Sequence, residues 1–184
     1  AMMTETELEI EFLGGCYNTL NNKVLVEVLH DAQVNVPHPE YTEEELKFAD
    51  ELNKQSPQYE ALKASGALDD GPIHTKVNDI MHNNGYGSTD VGDVMHIVPC
   101  AQIMTATCNR AAPGHSWQIT ACAGMSIGYK GMMYGARVMA AAGTRFCEEP
   151  ELVEKAKAEF AQSMKGREYK CPIPMDVPVP QPQE

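Results

Sequence analysis

No stretch of this 184-residue sequence approaches the about 18–20 consecutive apolar residues that a helix needs to cross a bilayer. The opening AMMTETELEIEF has no basic segment followed by an apolar one, so no secretory leader is read there. Positive charge is scarce: 14 Lys and Arg against 26 Asp and Glu leave a net charge of −12. Such a surface repels phosphate backbones and anionic lipid, which argues against nucleic acid or membrane partners. The six cysteines form no C-x-x-C pair and do not cluster with histidine at zinc-finger spacing. They read as free thiols in a reducing cytoplasm, most of them small apolar groups of the core.

The absences also bound the chemistry. A catalytic metal centre takes three or more His, Cys, Asp or Glu ligands, and no H-x-D or H-E-x-x-H pattern occurs. His30, His38, His74, His82 and His96 are scattered without ligand spacing. Gly124-Met125-Ser126-Ile127-Gly128 matches the G-x-S-x-G serine elbow, but no histidine follows His115 to complete the order serine, acid, histidine. Ser126 therefore reads as the cap of a glycine-rich helix. Cys100, Cys108 and Cys122 stand at expected strand positions next to apolar residues, which disfavours the thiolate a nucleophile needs. His115, in Pro-Gly-His-Ser, reads on spacing alone as a polar surface or capping residue of a loop, with a metal ligand or general base as the alternative. The loop Ser88-Thr89-Asp90 either caps a helix or offers backbone N–H groups to an anion.

At 184 residues one ordinary domain is expected. ELEIEF (7–12) alternates Leu8, Ile10 and Phe12 with glutamates and predicts a strand with one wet face. NNKVLVEVLHDAQ predicts a helix capped by Asn21 or Asn22. Thr42 to Glu45 fits a capping box ahead of a second helix, and a short helix is expected around Tyr59–Ala64. Residues 100–108 and 116–124, rich in β-branched and apolar side chains, read as strands joined by the loop that carries His115. From Ser126 to about Phe146 a helix carries Gly128, Gly131 and Gly135 on one face, which predicts close packing on a sheet. Pro150 opens a last helix, and the proline-rich tail 171–184 is expected to run extended or stay without regular structure.

The stretch GYGSTDVGDVMHIVPCAQIMTATCNRAAPGHSWQITACAGMSIGYKGMMYGARVMAAA, together with YTEEELKFADEL and the closing CPIP, resembles the aminobenzoyl-glutamate utilization protein B group. That group belongs with the co-catalytic metallopeptidases that include carboxypeptidase G and the auxin-conjugate amidohydrolases. The resemblance implies an α/β fold: an incomplete three-layer catalytic domain with residues 1–14 closing a lid domain, 15–170 forming the C-terminal half of the catalytic domain, and 171–184 a tail. It implies hydrolysis of the amide bond of p-aminobenzoyl-glutamate or a similar N-acyl or aryl amino acid, with two divalent metals, manganese or zinc. It assigns His115 as the last metal ligand, and Ser88, Thr89 and Asp90 to substrate contact rather than ligation. The family's other ligands and its general base have no counterpart here. The chain is thus expected to be a C-terminal portion, inactive alone, that needs the missing half or a companion subunit and otherwise associates with copies of itself. The alternative is a non-catalytic binding or assembly module.

Overall fold

The computed structural model describes residues 1–81 and 85–178. His82, the first two asparagines of the glycine-rich loop and residues 179–184 of the tail lie outside them. A 3₁₀ turn at Met2–Thr4 is followed by seven α-helices: α1 Lys23–Asn35, α2 Glu43–Lys54, α3 Tyr59–Ala64, α4 Val91–Val94, α5 Trp117–Ala123, α6 Ser126–Glu148 and α7 Pro150–Ser163.

Three of the local signals that start helices act as the sequence predicts, whereas Ser126, expected to cap α6, is its first residue and Met125 holds the cap position. The Asn22 side chain accepts from the Leu25 N–H at 3.1 Å and caps α1. At α2 the capping box is reciprocal, with Glu45 N–H to Thr42 Oγ1 at 3.3 Å and Thr42 N–H to Glu45 Oε2 at 2.6 Å. Pro150 occupies the first turn of α7.

The expected α/β fold is not what forms: the described residues are helical with no β-ladder, so neither a three-layer catalytic half nor a lid strand is present among them. Residues 7–12 adopt no regular element, and Leu8 and Ile10 are 72% and 81% exposed. A strand's hydrogen bonds go to a neighbouring strand, and among the described residues none lies alongside. Residues 100–108 are likewise irregular, held by single bonds: Asn22 N–H to the Cys100 carbonyl at 2.9 Å and Gln33 Nε2 to the Met104 carbonyl at 3.0 Å. The third expected strand is α5. Gln118 and Cys122, four apart and both buried, define its inner face, and the Gln118 bond to the Leu52 carbonyl holds that face against α2.

The glycine face of α6 packs tightly, but on an irregular segment instead of a sheet. A Cβ on Gly131 would stand 2.0 Å from the Ala106 carbonyl oxygen, and one on Gly128 2.6 Å from that of Cys122. The same helix packs on α1, α5 and α7. Tyr134 on α6 donates its hydroxyl to the Gln33 carbonyl at the end of α1 at 2.6 Å.

Two polar assemblies fix the rest. Asn53, 1% exposed, donates to the Pro72 carbonyl at 3.0 Å and accepts from Asn109 Nδ2 at 2.9 Å and the Ala111 N–H at 2.8 Å. Gln118 Nε2 adds a 2.6 Å bond to the Leu52 carbonyl, so α5 hangs from the end of α2. Around them lie Ala49, Leu52, Ile73, Cys122 and Ile127. In the second assembly Asp93 accepts from the Tyr17 N–H at 3.2 Å and the Tyr169 hydroxyl at 3.0 Å. Loss of water around the phenol and the facing Asp93 carboxylate push Tyr169 up to about 12. Tyr17 passes so close over α4 that a Cβ on Gly92 would meet its carbonyl oxygen at 2.0 Å.

Glu45 is buried and also accepts from Lys130 Nζ on α6 at 2.6 Å. Desolvation pushes its pKa up, but the bonds from Lys130, Ser126 and the Thr42 N–H outweigh it and bring the carboxyl down to about 2.

These contacts set expectations for stability. Gly131→Ala, which drives a methyl into the Ala106 carbonyl, is expected to lower stability by about 2 kcal/mol or more in urea titration. Gly143→Ala on the open face of the same helix should raise it by about 0.5–1 kcal/mol; equal effects at both sites would refute the packing argument. Because the Glu45 pKa is depressed on folding, its contribution is complete above the unfolded value near 4.5 and is lost as pH falls toward 2. Wild type should therefore lose about 2–3 kcal/mol more than Glu45→Gln between pH 5 and pH 2, and parallel pH profiles would contradict this.

Candidate functional site

His115 lies at the tip of the turn that leads into α5, exposed, with φ of 56°. A left-handed backbone at a residue other than glycine costs on the order of 1 kcal/mol and persists only where the surroundings impose it. Here the mount is rigid on both sides. Four residues before His115, the Ala111 N–H is held by Asn53; three residues after, Gln118 is bonded to the Leu52 carbonyl. Two of the buried polar atoms without a hydrogen-bond partner among the described residues, Ser116 Oγ and Gln118 Oε1, also flank this turn. The exposed imidazole thus sits within three residues of these two buried polar atoms, on a backbone whose φ of 56° is shared by the exposed Glu5 near the start of the sequence.

The second predicted element is less committed to a ligand. Ser88 and Asp90 are exposed, while Thr89 Oγ1 accepts from the Val91 N–H at 3.3 Å and steadies the entry to α4. Asp90 sits at the cap position of that four-residue helix without a side-chain capping bond. The loop's neighbours do structural work: Asp93 makes the clamp described above, and buried His96 pairs its Nδ1 with the Gly92 carbonyl at 2.8 Å and sets its ring 4.6 Å from that of Tyr17 at a tilt of 49°. No hydrogen bond or ion pair among the described residues joins the Ser88–Asp90 loop to His115.

Ser126 begins α6 with its hydroxyl on the Glu45 carboxylate, which Lys130 also holds. With the Glu45 carboxyl brought down to about 2 and Lys130 salt-bridged to it, neither neighbour is a base strong enough to activate this serine. Burial raises the thiol pKa of both Cys108 and Cys122.

Sequence reasoning dismissed His38 and His74, yet the fold brings both to one cavity of about 300 Å³ between the end of α1, α6 and the segments 74–78 and 102–106. His38 Nε2 lies 3.2 Å from the Tyr134 hydroxyl, with the two rings 4.5 Å apart. Burial, and then the neighbouring His74, lower the His38 pKa. The one local signal was that Pro37 and Pro39 bracket His38 and fix its backbone. Neither His115 nor the Ser88–Asp90 loop lines this cavity. Among the described residues no group of three His, Cys, Asp or Glu side chains is placed to hold a metal ion.

No family model matches the chain. No solved structure matches it either. The chain is similar to a p-aminobenzoyl-glutamate hydrolase subunit of Escherichia coli (strain K12), 30% identical over 194 residues. The match takes in 96% of this chain but spans only 40% of that relative's length. The resemblance read from the Ser88–Asp90 loop through Pro-Gly-His-Ser to α6 thus has a curated counterpart, and the chain is a homologue of part of that p-aminobenzoyl-glutamate hydrolase subunit.

Proposed function

We propose that this chain contributes His115 to a metal-dependent amidohydrolase that cleaves the amide bond of p-aminobenzoyl-glutamate or a similar N-acyl or aryl amino acid. The observation that carries this reading is the similarity along 96% of the chain to a protein named as a p-aminobenzoyl-glutamate hydrolase subunit. The exposed His115 also supports it, since its imidazole is presented from a turn anchored on both sides by the bonds of Asn53 and Gln118.

The described residues alone do not fit a divalent metal, because His115 has no second and third ligand beside it. Manganese or zinc has to draw its other ligands from polypeptide beyond these residues, in a longer chain or a companion subunit. Within this chain Ser88 and Asp90, both exposed, are free to meet substrate, while Thr89 keeps the loop in place. The chain by itself should be inactive.

Purified chain supplied with manganese or zinc should give no turnover of p-aminobenzoyl-glutamate and retain no stoichiometric metal after dialysis; turnover would show that the chemistry resides here. In an assembled enzyme His115→Ala should lower kcat by at least about 100-fold. His115→Gly should also abolish activity yet raise the stability of the chain by about 0.5–1 kcal/mol, because glycine relieves the left-handed backbone. A loss of stability in His115→Gly would make the residue structural and remove it from the site.

A further inference from the structure

The outer face of α6 is unlike that of an ordinary surface helix. Tyr129, Met132, Met133 and Met139 are each more than half exposed, and Ala136 lies among them at helical spacing. No charged residue interrupts this stripe. The helix does carry cations, but they serve the rest of the molecule: Lys130 on Glu45, Arg137 on the Pro37 carbonyl, Arg145 on Asp31 and Glu149. The opposite face is buried through Ile127, Tyr134 and Val138. A helix with apolar side chains on its outer stripe as well as on its buried face presents a surface suited to a partner, and methionine is the apolar side chain best suited to one that must repack on contact. Trp117, 58% exposed, is a further exposed apolar side chain on α5, which packs on α6.

Two observations select what covers it. The chain spans only 40% of its relative, so the relative holds a large stretch with no equivalent here. The chain also carries a net charge of −12, and a second copy would bring the same charge toward a stripe that has no cation to offset it. We propose that the Tyr129–Met139 stripe, with Trp117, is the seat of a companion polypeptide equivalent to the part of the relative this chain does not span, presenting an apolar face ringed by basic residues. The proposal rests on the amidohydrolase reading and gives it a place. Trp117 is two residues from His115, so whatever docks on Trp117 arrives beside that imidazole.

The test uses the full chain and, as probe, the stretch of the Escherichia coli relative outside its match to this chain, expressed as a separate polypeptide. Light scattering and titration calorimetry should show a one-to-one complex, with Met133→Glu and Met139→Glu each weakening it by about 30-fold or more. Met175→Glu, on an equally acidic background but 99% exposed in the tail, should leave affinity unchanged. Circular dichroism should show all three variants as folded as the parent, since none of these side chains is buried. No complex, a complex indifferent to Met133→Glu and Met139→Glu, or a homodimer of the chain that those substitutions dissolve would each overturn the proposal. Amidase activity of the mixture is read separately: an active complex indifferent to the stripe variants leaves the functional reading standing and removes this surface. A complex broken by them but inactive does the reverse.

Discussion

The side-chain amide of Asn53 is the point on which the arrangement of this molecule depends. It is buried at the end of α2 and its three hydrogen bonds reach the Pro72 turn, Asn109 and the backbone at Ala111. Those segments have no ladder to hold them. An amide with two donors and an acceptor oxygen of two lone pairs can satisfy a carbonyl and two N–H groups at once, which no apolar residue of the same volume can do. A polar group so buried is stabilising only when fully paired, and the neighbouring Gln118, whose Oε1 lacks a partner among the described residues, shows how close the network comes to its limit. The exposed turn with His115 is carried between two of these anchors. Its strain is therefore borne by the core and not by the loop.

Helices that announce themselves within four residues were legible in the sequence. Asn22, Thr42 with Glu45, and Pro150 each act on backbone groups one turn away, so the information and the structure lie in the same place. The strands were not legible correctly, because alternation in 7–12 and β-branched composition in 100–108 record a preference for a neighbour without saying that one is present. Residues 117–123 were misread for a different reason: in a seven-residue window the buried pair Gln118 and Cys122 satisfies both a period of two and a period of 3.6, and only the contact with α2 decides. His38 and His74 could not be joined from sequence, since the cavity between them is closed by residues from α1 and α6 as well. His115 was visible by resemblance, but its left-handed backbone was not.

Charge follows a similar division between surface and core. The acidic excess lies largely on exposed faces, while the one glutamate that is buried among the described residues, Glu45, is used three ways: it caps α2, holds Lys130 and receives Ser126. This couples the start of α2 to the start of α6 through a carboxylate that must stay ionised. The serine that in isolation resembled a nucleophile is one of the groups that keep it so.

Asp93 has a consequence for the order in which the chain matures. It binds Tyr17 and Tyr169, each 76 residues away along the sequence, one toward either terminus. Closing such loops is slow relative to forming helices, and a polypeptide leaves the ribosome from its N-terminus. The early segment around Tyr17 can meet α4 while synthesis continues, but the clasp has only one of its two arms until Tyr169 emerges. The release of Tyr169 thus decides when the Tyr17 segment is finally locked across Gly92.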